Sequence, residues 1–141
     1  MIIDLQTAAR SSAKRWPPPA QGFTPLTVVV LDVGGHVVAA EHEDGSSNKR
    51  LGNASGKAQW ALALGMGSQA LMARADQQSY FIAAATAAVG GSLIPDPVGV
   101  LARDTAGTLL GAVGVSRDTS DNDEDVTEAG IEAAGLQAQP N

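Results

Sequence analysis

Val28-Val29-Val30-Leu31-Asp32-Val33-Gly34-Gly35-His36-Val37-Val38-Ala39-Ala40 reads as two strands joined by a tight turn. The run Val28 to Leu31 is rich in β-branched side chains, which suit a pleated, buried surface better than a helix. Asp32 through Gly35 supplies turn chemistry: glycine reaches positive φ at no steric cost, and Asp bonds its own backbone two residues on. Val37 to Ala40 then runs back. A period of two places His36, Val38, Ala40 and His42 on one face, and Val37, Ala39 and Glu41 on the other. A hairpin this apolar needs cover from the rest of the chain.

Downstream, Glu43 to Asn48 is a loop. A helix is predicted over 53–65, with Asn53 or Ser55 as N-cap and Ala54, Ala58, Ala61, Leu62 and Leu64 along one side. Gly65-Met66-Gly67-Ser68 breaks it, and Ser68 opens a second helix to about residue 75. Tyr80 to Val89 is helical by its alanines, with Gly90-Gly91 as terminator. Leu93-Ile94 returns to strand and meets Pro95-Asp96-Pro97, a kink that no central strand tolerates. Val98 to Ala102 is a short strand, Asp104 to Gly107 a turn, and Thr108 to Val115 a long apolar strand. Gly111 and Gly114 within it signal close backbone approach from a helix or ligand. Ser120 to Asp123 has the form of a capping box for a last helix that runs to Ala134 and stops at Gly135. Upstream, residues 2–15 form a modest helix, stopped by Trp16-Pro17-Pro18-Pro19, and 17–25 is a Pro-rich connector. Clustered helices and antiparallel connections make this α+β.

The 141 residues suit one domain, 1–141, large enough to bury roughly two-thirds of its unfolded surface. Hydrophobic residues make up 44% and charged residues 17%, a globular balance. Two Trp, one Tyr and two Phe leave the packing to Ala and Gly. With a net charge of −6 and no basic block, nucleic acid and anionic membrane are not expected partners. The absence of cysteine removes disulfides and thiolate chemistry. No signal peptide or membrane-spanning run is read, so a cytoplasmic location is expected.

The order of elements, and five motifs along it, resemble the GlcG/HbpS family, the haem-binding or "haem-degrading" domain also found at the C-terminus of some cobalamin adenosyltransferases. Asp32 to Val38 resembles its D-x-x-G-H-L-V signature, Asp44-Gly45 its D-G, and Lys57-Ala58 its helical K-A. Gly107 with Gly111 to Ser116 is similar to its G-x-x-x-G-A-V-G-V-S strand, and Asp123 with Ala129-Gly130 to its last helix. The resemblance covers about 26–136. It implies a profilin-like domain, a five-stranded antiparallel sheet flanked by helices, assembled into homo-oligomers. Three departures stand out. The family's P-G-G-x-P loop is Pro97-Val98-Gly99-Val100-Leu101, its V-S-G-G turn is Val115-Ser116-Arg117-Asp118, and the acidic helix start after Asp44-Gly45 is lacking. These loops lie where the family's pocket is expected.

His36 alone combines signature position, titratable chemistry and metal-ligating capacity; it reads as an axial haem ligand, an acid/base group, or a turn-end histidine bonded to nearby backbone. Asp32 either joins it or simply caps the turn. Lys57 is an anchor for a carboxylate or propionate, or a snorkelling helix residue. Gly91 and Gly99 mark loops whose N–H groups either meet a ligand or only turn the chain. The two histidines cannot share one ion if six residues of strand hold them roughly 20 Å apart. Asp121 to Asp125 with Glu132 mimics a calcium loop, but Val126 stands where that loop needs glycine. No nucleophile elbow or triad order is present.

Three functions follow as expectations. One is a small-molecule-binding oligomeric module, for haem or a related tetrapyrrole. The second is an enzyme on a small organic acid, with His36 or Asp32 as acid/base and Lys57 as anchor. The third is a structural or interaction protein without cofactor. The segment 80–89 is apolar nearly all round, so cover by a second subunit is expected, at least a dimer with 80–89 in its interface; the alternative cover is Trp16–Pro19 of the same chain.

Overall fold

The computed structural model describes residues 27–65, 68–88, 99–116, 127–132 and 134–139. The predicted first helix, the Pro-rich connector, Leu93-Ile94, Gly90-Gly91 and the acidic run 121–125 lie outside them. The elements are β1 (Thr27–Asp32), β2 (Val37–His42), α1 (Arg50–Leu64), α2 (Ser68–Gln77), α3 (Ser79–Ala88), β3 (Gly99–Arg103), β4 (Leu109–Ser116) and β5 (Gln137–Gln139). A helical segment at 127–132 precedes β5. The strands form one five-stranded sheet in the order β2-β1-β4-β3-β5, with every neighbouring pair antiparallel.

β1 is a near-continuous apolar run because both of its faces are covered. Val29 and Leu31 pack with Leu101 and Ala112 under Ala54, Ala58 and Ala61 of α1. Val28 and Val30 pack with Val100, Ala102, Leu110, Val113 and Val115 against Ile131 and Leu136. The sheet is thus a middle layer, with α1 on one side and the C-terminal segment on the other. Alanines let α1 lie close, and Gly114 is the contact point: a Cβ there would run into the carbonyl oxygen of Ala54. The close approach expected at Gly114 is from a helix.

Two expectations need correction. α1 starts at Arg50, not 53; its N-cap is Lys49, which makes no side-chain cap. Asn53 and Ser55 are therefore interior residues, and backbone bonds (Arg50 N to Ser47 O, 3.1 Å; Asn53 N to Lys49 O, 3.1 Å) start the helix instead. The strict alternation on β2 also fails at its start. Val30 faces Ala39 but Leu31 faces Val37, so Val38 is an extra residue, and Val38 and Ala39 both lean on the same core. The expected cover of α3 by a second subunit is not tested by a single chain. Ile82 packs on Trp60 of α1, with Phe81 and Ala85 beside it, while Tyr80, Ala83, Ala84 and Ala87 are exposed.

Of the three expected glycine stops, the two within the described residues are present. Gly65 ends α1 in the left-handed region at φ 63°. Gly135 (φ 80°) closes the last helical segment, with Gly135 N bonded to Glu132 O at 3.0 Å and Leu136 N to Ile131 O at 3.3 Å.

Candidate functional site

Asp32-Val33-Gly34-Gly35-His36 joins β1 to β2. The backbone closes it with Gly35 N to Asp32 O and Asp32 N to His36 O, both 3.0 Å. Gly35 sits at φ 79°, which makes a type I turn with a glycine bulge. Asp32 Oδ1 accepts the N–H of Gly34 at 2.9 Å and that of His36 at 3.0 Å. The imidazole then folds back over the turn, with Nδ1 3.1 Å from Oδ1 and 3.2 Å from Oδ2. These contacts hold the Asp32 carboxyl below its ordinary value; the His36 N–H acts most, opposed by desolvation and assisted by the His36 ring and the Gly34 N–H.

Gly34 is what lets the ring fold back, since a Cβ there would lie 2.7 Å from His36 Cε1. Gln59 of α1 donates Nε2–H to Gly35 O at 2.7 Å and ties the turn to the helix. The His36 side chain is nevertheless 80% exposed. Val37, next in sequence, and Val33, three residues before, are 59% and 53% exposed. The result is an anchored imidazole on an apolar hairpin tip.

The chain contains an internal control for this geometry. Asp104-Thr105-Ala106-Gly107-Thr108 joins β3 to β4 with the same bonds. Asp104 Oδ1 accepts from Ala106 N and Thr108 N, both 2.9 Å. Gly107 N to Asp104 O and Asp104 N to Thr108 O are both 3.0 Å, and Gly107 has φ 85°. Because Asp32 pairs with Gly111 near the start of β4, both turns cap the same end of the sheet. Thr108 occupies the place of His36 and completes the turn with its backbone N–H and carbonyl.

The other expected site residues are elsewhere. Lys57 is 5% exposed, and its Nζ donates to Val115 O at 3.2 Å. Val115 faces Val28 on β1. Asp32 is four residues further along that strand, about 13 Å away. Gly99 starts β3 opposite Gly114, at the Lys57 end of the sheet. The structure therefore joins Asp32 to His36 and places Lys57 and Gly99 together at the other end. Gly91 lies outside the described residues.

Sequence reasoning missed Gln59, because a glutamine on a helix carries no signal of what it reaches. It also missed a polar cluster at the Lys57 end. His42 Nδ1 lies 2.8 Å from Thr27 Oγ1 and His42 Nε2 lies 3.0 Å from Ser46 O. Ser46 Oγ is 2.9 Å from Thr27 Oγ1, and Arg50 Nη1 donates to Ser116 Oγ at 3.3 Å. A carbonyl only accepts, so His42 carries its hydrogen on Nε2 and its Nδ1 accepts from Thr27. Thr27 is buried, and the cluster ties the loop after β2 to the sheet. Trp60 Nε1 is buried with no hydrogen-bond partner among the described residues. Among the described residues, no three His, Asp or Glu side chains gather as a metal site.

The family described as "Haem degrading protein HbpS-like" matches residues 4–132. The chain belongs to the HbpS-like family. Three solved structures share its fold. PduOC in complex with haem is 19% identical, with a TM-score of 0.78 over 96% of this chain and 97% of that one. Klebsiella pneumoniae protein ORFY is 19% identical, with a TM-score of 0.80 over 94% and 90%. A double mutant of Streptomyces reticuli HbpS is 20% identical, with a TM-score of 0.71 over 94% and 86%. No curated protein matches the chain. The HbpS-like match starts well ahead of residue 26, where the recognisable motifs begin. The α+β, five-stranded antiparallel fold agrees with these relatives.

Proposed function

We propose that this HbpS-like chain is a small-molecule-binding module that takes haem or a related tetrapyrrole, with His36 as axial ligand. One observation carries this reading: the imidazole is surplus to the fold. The Asp104 turn is built with the same bonds and no ring, Thr108 supplying only its backbone N–H and carbonyl. A ring that the turn does not need, anchored on one nitrogen and 80% exposed, is a ligand on offer. The residues around it fit the group. Val33 and Val37 supply exposed apolar surface for a porphyrin face. Lys57 does not fit as a propionate anchor for the same molecule, since its ammonium is turned to Val115 at the other end of β1. The family name and the PduOC haem complex support the choice of ligand.

The enzyme reading took His36 or Asp32 as acid/base and Lys57 as anchor; the Lys57 contact with Val115 O, four residues of strand from the Asp32 turn, favours the binding reading over it. Assembly into a homo-oligomer belongs to the proposal. Tyr80, 71% exposed, continues into Ala83, Ala84 and Ala87 as an apolar face of α3 that the described residues leave open. Haem titration of the apoprotein tests the function. A Soret shift saturating at one haem per chain, weakened at least tenfold by His36→Ala, is the expected result. An unshifted spectrum refutes haem and returns the chain to the cofactor-free reading.

A further inference from the structure

We infer that Asp32 is a positioning and tuning residue for His36: its carboxylate fixes the hydrogen on Nδ1, bares the Nε2 lone pair for a metal, and makes that nitrogen a stronger donor. The inference rests on the proposed haem-ligand role, but its first half concerns the protein alone. A carboxylate accepts and never donates when ionised. Both Asp32 oxygens lie within 3.2 Å of Nδ1, so Nδ1 carries the hydrogen in the neutral ring. The nitrogen left for a ligand is Nε2, on the far side of an exposed ring. A histidine that donates its second N–H to a carboxylate is the arrangement that orients metal-bound imidazoles and raises their basicity.

Asp32 is placed to do this by more than the ring contact. Its Oδ1 is pinned by two backbone N–H groups, so the carboxylate does not follow the imidazole but holds it. Gly34 leaves the space that the ring occupies, and Gln59 fixes the turn from behind. A more basic axial nitrogen favours ferric over ferrous iron, so the same carboxylate lowers the potential of bound haem.

The chain supplies its own controls. His42 is bonded in the opposite sense, with the hydrogen on Nε2, and it is the only other histidine. Asp104 makes the same turn without a ring. Asp32→Asn keeps one oxygen for both backbone N–H groups, removes the charge, and turns the other oxygen beside Nδ1 into an NH2 donor. Long-range proton–nitrogen NMR of the full-length apoprotein, read on the neutral form of each ring, is expected to show opposite tautomers, Nδ1–H for His36 and Nε2–H for His42. An Nε2–H tautomer at His36 overturns the inference without reference to haem. Titration with ferric haem is then expected to show affinity falling 10- to 100-fold in Asp32→Asn, and the midpoint potential rising, while Asp104→Asn changes neither. Equal behaviour of the two variants overturns the tuning role. If the wild type takes no haem, the functional proposal fails, and the tautomer result still decides the first half.

Discussion

His36 and Thr108 hold the same place in two copies of one turn, and the difference between them is the imidazole. Asp32, by contrast, does the same backbone work as Asp104 and has a second task in holding the ring. Its pH dependence follows from the sign of its shift. The folded carboxyl lies below its ordinary value, so its contribution is present above the unfolded value, near pH 4, and is lost as pH falls through the folded one. Denaturant unfolding should therefore separate wild type from Asp32→Asn at pH 7 and bring them together toward pH 2. Gly34→Ala should leave the fold in place and push the ring off Asp32, because the new Cβ meets His36 Cε1 at 2.7 Å; the NMR signature of Nδ1–H would be lost while the circular dichroism spectrum stays. Asp32 and His36 were legible in the sequence because turn chemistry is local. Lys57 was legible only as a helical lysine. Its ammonium reaches a β4 carbonyl 58 residues away, a tertiary fact that spacing does not hold.

At the scale of elements, the seam between α1 and the sheet is a packing of alanines on a glycine. Gly114→Ala puts a methyl group against the Ala54 carbonyl, and a helix backbone cannot swing aside as a flexible side chain does. A loss of roughly 3 kcal/mol is expected in chemical denaturation. Loss below about 0.5 kcal/mol would mean that α1 is free to lift. Most of the elements could be read from apolar pattern and glycine, including the stops at Gly65 and Gly135. The start of α1 could not, since backbone turns rather than a Ser, Thr, Asp or Asn side chain begin it. β5 was not readable from its own residues either. Gln137-Ala138-Gln139 has no β-branched side chain, and it is a strand because β3 pairs with it; Arg103 Nε reaching Gln139 Oε1 at 2.6 Å supports that pairing.

At the scale of the molecule, the described residues present two surfaces to be used: the hairpin tip around His36 and the exposed face of α3. If α3 is the subunit seam, sedimentation should show a species larger than 14.3 kDa, and Ala84→Asp should dissociate it. Ile82 is the wrong probe, because it already faces Trp60 within the chain. No described helix is long and apolar enough to cross a membrane. The central claim is that the fold does not need the His36 ring and haem does. His36→Thr tests it most directly, since it rewrites the first turn as the second. The account predicts unfolding free energy within about 0.5 kcal/mol of wild type and ferric haem affinity down by at least tenfold. A variant that binds haem as wild type does, or one that no longer folds, would contradict it.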